Sequence, residues 1–275
     1  MNDKIVKTIF DKSSRGKTGY ILPKLDVPEI PLDFHLDKKL LKKKSSNMPQ
    51  LTEPEVVRHF VNLSVKNHHV DKDFYPLGSC TMKYNPKIND SVASMVGFSG
   101  MHPEQSPICS QGSLKLMLSL QNMLLKITGM DSITLQPSAG SQGEFVGLLI
   151  MQKYHSSKKN NKEYVIIPET AHGTNPASVM LGGFEPREVK SDKRGRVDID
   201  DLRSKLDEEV AGMMLTQPNT LGLFEDRIGE ISNAVHGVGG LMYMDGANLN
   251  AVVGLCKPAD MGFDIIHINL HKTFS

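Results

Sequence analysis

The sequence predicts an α/β fold with an open, mostly parallel sheet flanked by helices, and two observations support this prediction. Short apolar runs of strand length recur after about residue 130, among them YVIIP at 164–168 and LMYM at 241–244. Segments with apolar residues at helical spacing lie between these runs. Because parallel neighbours need a long crossover connection, strands that alternate with helices are typical of such a sheet.

The first elements follow from local patterns. SLKLMLSLQNMLLKIT at 113–128 has apolar residues at helical spacing, and Gly129 is the expected C-cap of this helix. ITLQP at 133–137 predicts a strand, the glycines after it predict a turn, and the run to His155 predicts a helix. YVIIP then predicts a short buried strand.

The later elements alternate in the same way. GTNPASVML predicts a helix that starts near Pro176, with Asn175 or Thr174 as its N-cap. The remaining segments predict, in chain order, a capped helix (VDIDDLRSKL), a strand (AGMMLTQP), a helix (RIGEISNAVHGVGG) and two strands (LMYMDGAN and FDIIHINL). Ligands of open α/β sheets bind beyond the carboxyl ends of the strands, so a site is expected there.

The N-terminal segment has a different texture. The first 50 residues are rich in Lys, Pro and Ser, and the prolines exclude a long helix. We predict an extended arm at 1–65 that lies on another surface, such as a partner subunit, followed by a large domain at 66–275. The lysine run near residue 40 is typical of a solvated face. GKT at 16–18 is not a phosphate loop, because Asp11 stands where that motif needs glycine.

Composition narrows the class of protein. The chain has 39% hydrophobic and 23% charged residues and a formal charge of +1, as an ordinary globular protein does. This balance predicts no nucleic-acid partner, and no apolar run is long enough to predict a membrane span. Cys80, Cys109 and Cys256 form no metal-binding spacing and no even disulfide set, so no metal is predicted. We expect a reduced, cytoplasmic location.

Polar residues follow the predicted strands at five places. SAGSQGE follows ITLQP, and its backbone N–H groups at a helix start suit a phosphate, although small residues in such turns often only pack. His172 and Asn219 follow the next two strands, where a loop histidine and a turn asparagine are the simpler interpretations. Asp245 follows LMYM, where a carboxylate needs a cationic partner or a metal. Lys272 is expected at the tip of the last strand, where an amine with a lowered pKa can attack a carbonyl.

Taken together, these five positions suit one cofactor. Pyridoxal phosphate (PLP) needs its phosphate bound, its ring stacked, its pyridine nitrogen kept protonated by a carboxylate, and its aldehyde bound by a lysine. The hypothesis from the residues is therefore a PLP enzyme in which Lys272 binds the cofactor.

Long strings of the sequence resemble the P-protein family of the glycine cleavage system. They run nearly from end to end and include DFYPLGSCTMKYNPKIND, LQPSAGSQGE, AHGTNPASVMLGG, MMLTQPNTLGLFE, MYMDGANLNAVVG and DMGFDIIHINLHKTFS. The arm resembles the start of the separate catalytic subunit 2 of this family. Subunit 1 is similar in fold but lacks the cofactor lysine, so HKTF at 271–274 favours subunit 2. The resemblance implies the large domain of a fold-type-I PLP-dependent transferase-like enzyme.

The resemblance also implies roles for particular residues. Lys272 would bind the cofactor, Asp245 would pair with the pyridine nitrogen, and His172 would stack on the ring. Backbone groups after ITLQP would bind the phosphate, one asparagine would lie near the ring hydroxyl, and two residues would line the pocket. These other cofactor-binding positions are Gly140, Ser141 and Gln142 for the phosphate, Asn219 for the hydroxyl, and Asn248 and His271 for the lining. The segment PLGSCTMKYNP at 76–86 is typical of the family and is expected to reach the site, but neither Cys80 nor Lys83 gains a role.

The activity implied by the resemblance is decarboxylation of glycine, an oxidoreductase step of glycine cleavage. The aminomethyl group would pass to the lipoyl arm of the H-protein. The partners would be glycine, the lipoylated H-protein and glycine dehydrogenase subunit 1, in a heterotetramer.

The sequence departs from the family pattern in three places. Ser138, Ser141 and Gln142 stand where alanine or histidine is also common in the family, and Gln217 stands where asparagine is expected before PNT. The family continues beyond HKTFS into a C-terminal small domain, so we expect a C-terminally truncated chain that ends at Ser275. Two alternatives stay open: a non-catalytic truncated fragment, or another fold-type-I enzyme such as an amino-acid decarboxylase or a cysteine desulfurase.

Overall fold

A computed structural model describes residues 6–44, 46–73, 75–77 and 80–274. The chain divides into two compact units, Met1–Tyr75 and Pro76–Ser275. The predicted boundary between an arm at 1–65 and a large domain at 66–275 stays a prediction. Gly78 and Ser79 of the PLGSCTMKYNP segment, and Ser275, lie outside the described residues.

The described residues form helices and strands in regular alternation after residue 139. The helices are α1 Ile9–Lys12, α2 Leu32–His35, α3 Glu53–Ser64, α4 Lys87–Ala93, α5 Val96–Ser99, α6 Gln111–Thr128, α7 Gly140–Ser157, α8 Thr174–Leu181, α9 Ile199–Lys205, α10 Ile228–Gly237 and α11 Leu270–Thr273. The strands are β1 Tyr75–Leu77, β2 Cys80–Met82, β3 Tyr164–Pro168, β4 Glu185–Val189, β5 Val210–Thr216, β6 Leu241–Gly246 and β7 Ile265–Ile268. Two 3-10 helices lie at Pro107–Ser110 and Ala259–Met261.

The described residues of the first unit contain one helix of regular length, α3, which we did not predict. Its signal is TEPE: Thr52 and Glu55 form a capping box, in which the Thr52 N–H donates to Glu55 Oε2 over 2.9 Å. A proline in the first turn suits a helix start. Before α3, the described residues hold only two four-residue helices, as the prolines led us to expect.

The second unit is built on the predicted parallel sheet, which is confirmed. Its strand order is β4-β3-β5-β6-β7, and every neighbouring pair is parallel. Thr216 lies beside Asp245, and Asp245 lies beside His267. The carboxyl ends of three strands therefore meet at one edge of the sheet.

Alternation along the strands gives the sheet two apolar faces. Met213, Met242 and Met244 belong to a core with α9 and α10, whereas Met214 and Tyr243 belong to a core with α7 and α8. Successive side chains of a strand point to opposite faces, so residues two apart share a face. Tyr243 and Asp245 thus face α7 and α8, and Ile265 and His267 of β7 do the same.

Several predicted elements are confirmed. α6 ends at Gly129, whose φ of 76° is the left-handed conformation of a C-cap. Asp198 caps α9 by accepting from the N–H groups of Asp200 and Asp201.

The strand β4 was not predicted, because its sequence EPREV is charged and largely exposed, as suits an edge strand.

The predicted strand ITLQP is wrong. No strand is assigned at 129–139, and the Ile133 carbonyl accepts from Gln121 Nε2 over 3.1 Å. A strand needs a neighbour for its ladder hydrogen bonds. A groove of about 600 Å³, lined by 130–135 on one side and 264–271 on the other, separates this segment from β7. The apolar pattern was correct, but among the described strands none pairs with this segment.

The predicted cap of α8 is also wrong. The helix begins at Thr174, one or two residues before the expected start, and Gly173 is its N-cap. Asn175 lies inside the first turn, where its side-chain amide donates to Asp245 and Glu144. A residue inside the first turn cannot be the N-cap of the same helix.

None of the helices in the described part of the chain is long and apolar enough to cross a membrane.

Candidate active site

A pocket of about 710 Å³ lies at the carboxyl edge of the sheet. Eight of the nine predicted site residues line it: Gly140, Ser141, His172, Asn219, Asp245, Asn248, His271 and Lys272. Gln142 does not line it. The fold thus brings together residues from five separate segments of the chain.

The N-terminus of α7 forms one wall. This helix is 18 residues long and begins at Gly140, and among the described side chains none caps it. The first N–H groups of a helix have no partner within the helix, so these face an anion favourably. A side chain at Gly140 would come within 2.8 Å of the Asn269 amide, so this close approach requires glycine. Gln142 Oε1 instead accepts from Ser138 N and Oγ, over 2.9 and 2.7 Å, which closes the turn before the helix.

Asp245 provides the carboxylate of the pocket. It is the next-to-last residue of β6 and is 6% exposed. Its Oδ1 accepts from the Ala247 N–H over 3.0 Å, and its Oδ2 accepts from Asn175 Nδ2 over 3.0 Å. A carboxylate that is buried but hydrogen-bonded in this way can stay ionised and can pair with a cation in the pocket.

His172 and Asn219 lie in the loops after β3 and β5. The exposed His172 has its Nδ1 fixed by the Thr174 N–H over 3.2 Å. Asn219 Oδ1 accepts from the N–H groups of Leu221 and Leu223, both over 3.0 Å, and Nδ2 donates to the Gly195 carbonyl over 2.9 Å. Asn219 therefore shapes its turn, and its predicted contact with a ring hydroxyl stays a prediction.

Lys272 follows β7 but is not at the tip of that strand, which corrects our expectation. The strand ends at Ile268, and Lys272 lies half-buried in the short helix α11. The Leu249 N–H donates to Thr273 Oγ1 over 3.0 Å, and Lys83 Nζ donates to the Lys272 carbonyl. Lys83 thus contacts the backbone of the segment that carries Lys272, a contact that sequence reasoning missed.

The inner wall of the pocket contains buried polar residues that sequence reasoning also missed. Glu144 Oε2 accepts from Ser178 Oγ over 2.8 Å and from Asn175 Nδ2 over 3.3 Å. The amide of Asn175 therefore bridges Glu144 and Asp245. His267 lies beside Asp245 on the neighbouring strand. The available signal was the period of two along β6 and β7, which places polar side chains on one face.

These residues fit the chemical groups of PLP. The free N–H groups of α7 suit a phosphate, Asp245 suits a protonated ring nitrogen, and Lys272 suits an aldehyde. Thr216 Oγ1 also lines the pocket and is buried without a hydrogen-bond partner among the described residues. An unpaired buried hydroxyl is costly, so a bound polar ligand would supply what it lacks.

Solved structures define the class of the fold. The chain resembles glycine decarboxylase (P-protein) of the glycine cleavage system, solved in inhibitor-bound form, with a TM-score of 0.68 and 22% identity over 89% of this chain and 55% of that one. It also resembles mouse CSAD, with a TM-score of 0.59 and 17% identity over 89% of this chain and 54% of that one. The chain has the α/β fold of the fold-type-I PLP-dependent enzymes.

Sequence comparison gives the family. Residues 22–270 match the family described as glycine cleavage system P-protein. The chain is 55% identical to the probable glycine dehydrogenase (decarboxylating) subunit 2 of Chlorobaculum tepidum, over 97% of this chain and 55% of the relative. It is 51% identical to the protein of the same name from Bacillus thuringiensis, again over 97% and 55%. The chain belongs to the glycine cleavage system P-protein family, and it spans about half the length of these curated relatives.

Proposed function

We propose that this chain supplies the cofactor-binding part of a PLP-dependent glycine decarboxylase that passes an aminomethyl group to the lipoyl arm of the H-protein. The observation that carries the proposal is the convergence of Asp245, Lys272 and the free N-terminus of α7 on one pocket. The names of the relatives support glycine as the substrate.

Each wall of the pocket has a task in this proposal. The N–H groups of Gly140 and Ser141 would bind the phosphate, and the His172 imidazole would cover one face of the ring. Lys272 would bind the aldehyde and release it when the amino group of glycine takes its place. Bound PLP would supply a sink for the electron pair that remains on glycine when CO2 departs.

Asp245 has the electrostatic task. Its carboxylate would hold a proton on the ring nitrogen and so stabilise the negative charge that develops as CO2 leaves. Its hydrogen bonds to Asn175 and Ala247 fix its direction before any ligand binds. A charge fixed in advance stabilises a transition state without a reorganisation cost.

The proposed partners follow from the relatives. The name subunit 2 implies a subunit 1, and we extend the proposal to that subunit and to the lipoylated H-protein. A cytoplasmic location, expected from the cysteine content, is part of the same proposal.

Borohydride reduction tests the proposal directly. The full natural protein is incubated with PLP, reduced and digested, and the peptides are mapped. We expect one labelled lysine, Lys272, and no label in Lys272→Ala. The matched control is Lys257→Ala, at an exposed lysine outside the pocket, which should keep the label and glycine–CO2 exchange.

Two results would contradict the proposal. Label at Lys83 or Lys257 would place the cofactor elsewhere. Label at Lys272 without glycine–CO2 exchange, in the presence of subunit 1 and lipoylated H-protein, would indicate another fold-type-I reaction.

A further inference from the structure

Three polar side chains, Asp245, His267 and Tyr243, form a row from the pocket into the core, which we call the relay. Residues two apart on a strand share a face, so Tyr243 and Asp245 of β6 point to the same side, and His267 lies beside Asp245 on β7. Tyr243 Oη lies 2.9 Å from His267 Nδ1, and His267 Nε2 lies 3.2 Å from Asp245 Oδ1. His267 is 7% exposed and Tyr243 is fully buried.

The chemistry of the neighbours determines where the hydrogen of the imidazole lies. Asp245 Oδ1 only accepts, so the nitrogen that faces it is stabilised when it carries the hydrogen. Nδ1 is then an acceptor for the O–H of Tyr243. The alternative acceptor for this hydroxyl, the Gly143 carbonyl, is farther away, at 3.4 Å.

The ring is neutral in this arrangement. Burial lowers the pKa of His267, and the negative charges of Asp245 and Glu144 oppose this only in part, while Lys272 adds to it. These are the charged groups that face His267 from β6, α7 and α11. A neutral imidazole leaves the charge of Asp245 uncompensated and available to a cation in the pocket.

His267 Nε2 has no hydrogen bond of good geometry among the described residues, although Asp245 Oδ1 is within ion-pair distance. It is therefore an unpartnered polar atom on a side chain that is more than nine-tenths buried, 3.2 Å from the carboxylate. The bond requires a rotation of one of the two side chains. On the other side, the Asn175 amide already holds Oδ2.

We propose that His267 is the positioning residue of Asp245: oriented by Tyr243, it donates its Nε2 hydrogen to Oδ1 and keeps the carboxylate ionised and directed at the ring nitrogen of the cofactor. The inference rests on the proposed function for its ligand. His267 and Tyr243 would act through Asp245 and not on the substrate. Gly147 makes room for Tyr243, since a side chain at that position would lie 2.2 Å from the Tyr243 ring.

The same side chains could attract a metal ion instead. One atom each of Glu144, Asp245 and His267 lie within 4.8 Å of one another. However, Ser178 and Asn175 already donate to Glu144, and Asn175 also donates to Asp245. These donors, with the Ala247 N–H on Asp245 Oδ1, satisfy the carboxylate oxygens without an ion.

The first experiment compares variants in the full natural protein loaded with PLP. His267→Leu removes the donor, His267→Gln keeps an N–H at a similar reach, and Tyr243→Phe removes the hydroxyl that orients the ring. The control is His155→Gln, at a second buried histidine whose Nε2 donates to the Ala211 carbonyl, away from the pocket.

The main readout is the visible absorbance of the bound cofactor against pH. If the Asp245 carboxylate pairs less strongly with the ring nitrogen, the ring carries less positive charge. A proton elsewhere on the conjugated system is then bound more readily. In His267→Leu we expect the pH at the midpoint of the absorbance change to rise by about one unit. This is the size expected for the loss of one hydrogen bond to a charged group. His267→Gln should restore most of this shift, Tyr243→Phe should show part of it, and His155→Gln should show none. In glycine–CO2 exchange, His267→Leu should lower kcat by roughly tenfold and leave KM nearly unchanged, since a one-unit pKa change corresponds to a factor of ten.

A second readout does not need the cofactor. Nitrogen NMR of labelled histidine in the apo-protein should show the His267 hydrogen on Nε2, and Tyr243→Phe should change this tautomer balance. Failure of PLP to bind would therefore contradict the proposed function and leave the relay to be judged by NMR.

Four results would overturn the relay. They are an unchanged absorbance midpoint in His267→Leu, an equal shift in His155→Gln, a hydrogen on Nδ1 in the apo-protein, or one equivalent of bound metal that His267→Leu removes.

Discussion

Asp245 shows how a single buried charge is made tolerable. An ionised carboxylate in an apolar setting is costly unless donors surround it. Here the donors come from a helix, α8, and from the backbone just after the strand. The cost of burial is reduced by hydrogen bonds, while the charge itself stays available to the pocket.

The replacement Asp245→Asn tests this electrostatic role. The side chains have nearly the same shape, so the melting temperature should stay within a few degrees of the parent. Glycine–CO2 exchange by the protein with subunit 1 and H-protein should fall at least about a hundredfold, the loss typical for one fixed group that stabilises developing charge.

The matched control is Asp260→Asn, at an exposed aspartate outside the pocket, which should leave the exchange rate unchanged. Near-normal exchange in Asp245→Asn would show that the carboxylate does not act on the reaction.

The buried histidine His155 should make the stability of the protein depend on pH. It is 2% exposed, its Nε2 donates to the Ala211 carbonyl over 2.8 Å, and burial lowers its pKa. Because the pKa is lower in the folded state, the unfolded chain takes up a proton first as the pH falls below about 6.5. The free energy of unfolding should therefore decrease between pH 7 and pH 5, and it should be insensitive to this group above pH 7.

Urea unfolding at several pH values measures this effect. His155→Gln keeps an N–H donor but cannot titrate, so proton uptake on unfolding should fall by up to one proton near pH 5.5. His102→Gln, at an exposed histidine, is the control and should keep the pH slope of the parent. An unchanged slope in His155→Gln would mean that folding does not lower the pKa of this ring.

At the scale of elements, local patterns predicted most of the second unit. Gly129 ends α6, Asp198 caps α9, and the apolar runs YVIIP and LMYM form strands, since each signal acts within a few residues. The segment ITLQP has the same apolar pattern but no neighbour to pair with. Strand formation depends on a partner that is distant in sequence, and a local pattern carries no information about that partner.

Gly147 provides a test of how α7 packs on the sheet. A Cβ at this position would lie 2.2 Å from the fully buried Tyr243 ring, so the helix or the ring must move. We expect Gly147→Ala to destabilise the protein by about 1–3 kcal/mol, as overpacked cores do, although alanine favours a helix.

The control is Gly229→Ala in α10, where an added Cβ meets nothing within 4 Å. This variant should be neutral or slightly stabilising, because only helix propensity changes. Denaturant unfolding of both variants separates the two effects. Equal stabilities for Gly147→Ala and the parent would show that α7 packs farther from β6 than described.

Across the whole molecule, the residues that line the pocket were easier to predict than the buried residues behind them. Asp245 and Lys272 each follow an apolar run of the sequence, and parallel strands have their carboxyl ends at one edge of the sheet, so the pattern alone placed the two residues together. Glu144 and His267 were missed, since a glutamate in a helix and a histidine in a strand have no local pattern that marks them as neighbours. Only the register of β6 on β7 brings His267 beside Asp245.

The outer surface of α6 carries exposed apolar side chains, which favour association between molecules. Leu114 and Leu118 are 46% and 57% exposed and lie four residues apart, so they form one apolar stripe on the helix. Exposed apolar area is unfavourable at about 25 cal/mol per Å², so a stripe of this kind favours contact between molecules. We expect residues 1–275, produced alone, to self-associate at micromolar concentration. Leu118→Glu should shift the protein toward monomer in sedimentation velocity, whereas Asn233→Glu, which adds the same charge at an exposed position of α10, should not. Equal effects of the two variants would assign the association to net charge, and a monodisperse parent would show that this stripe needs no cover.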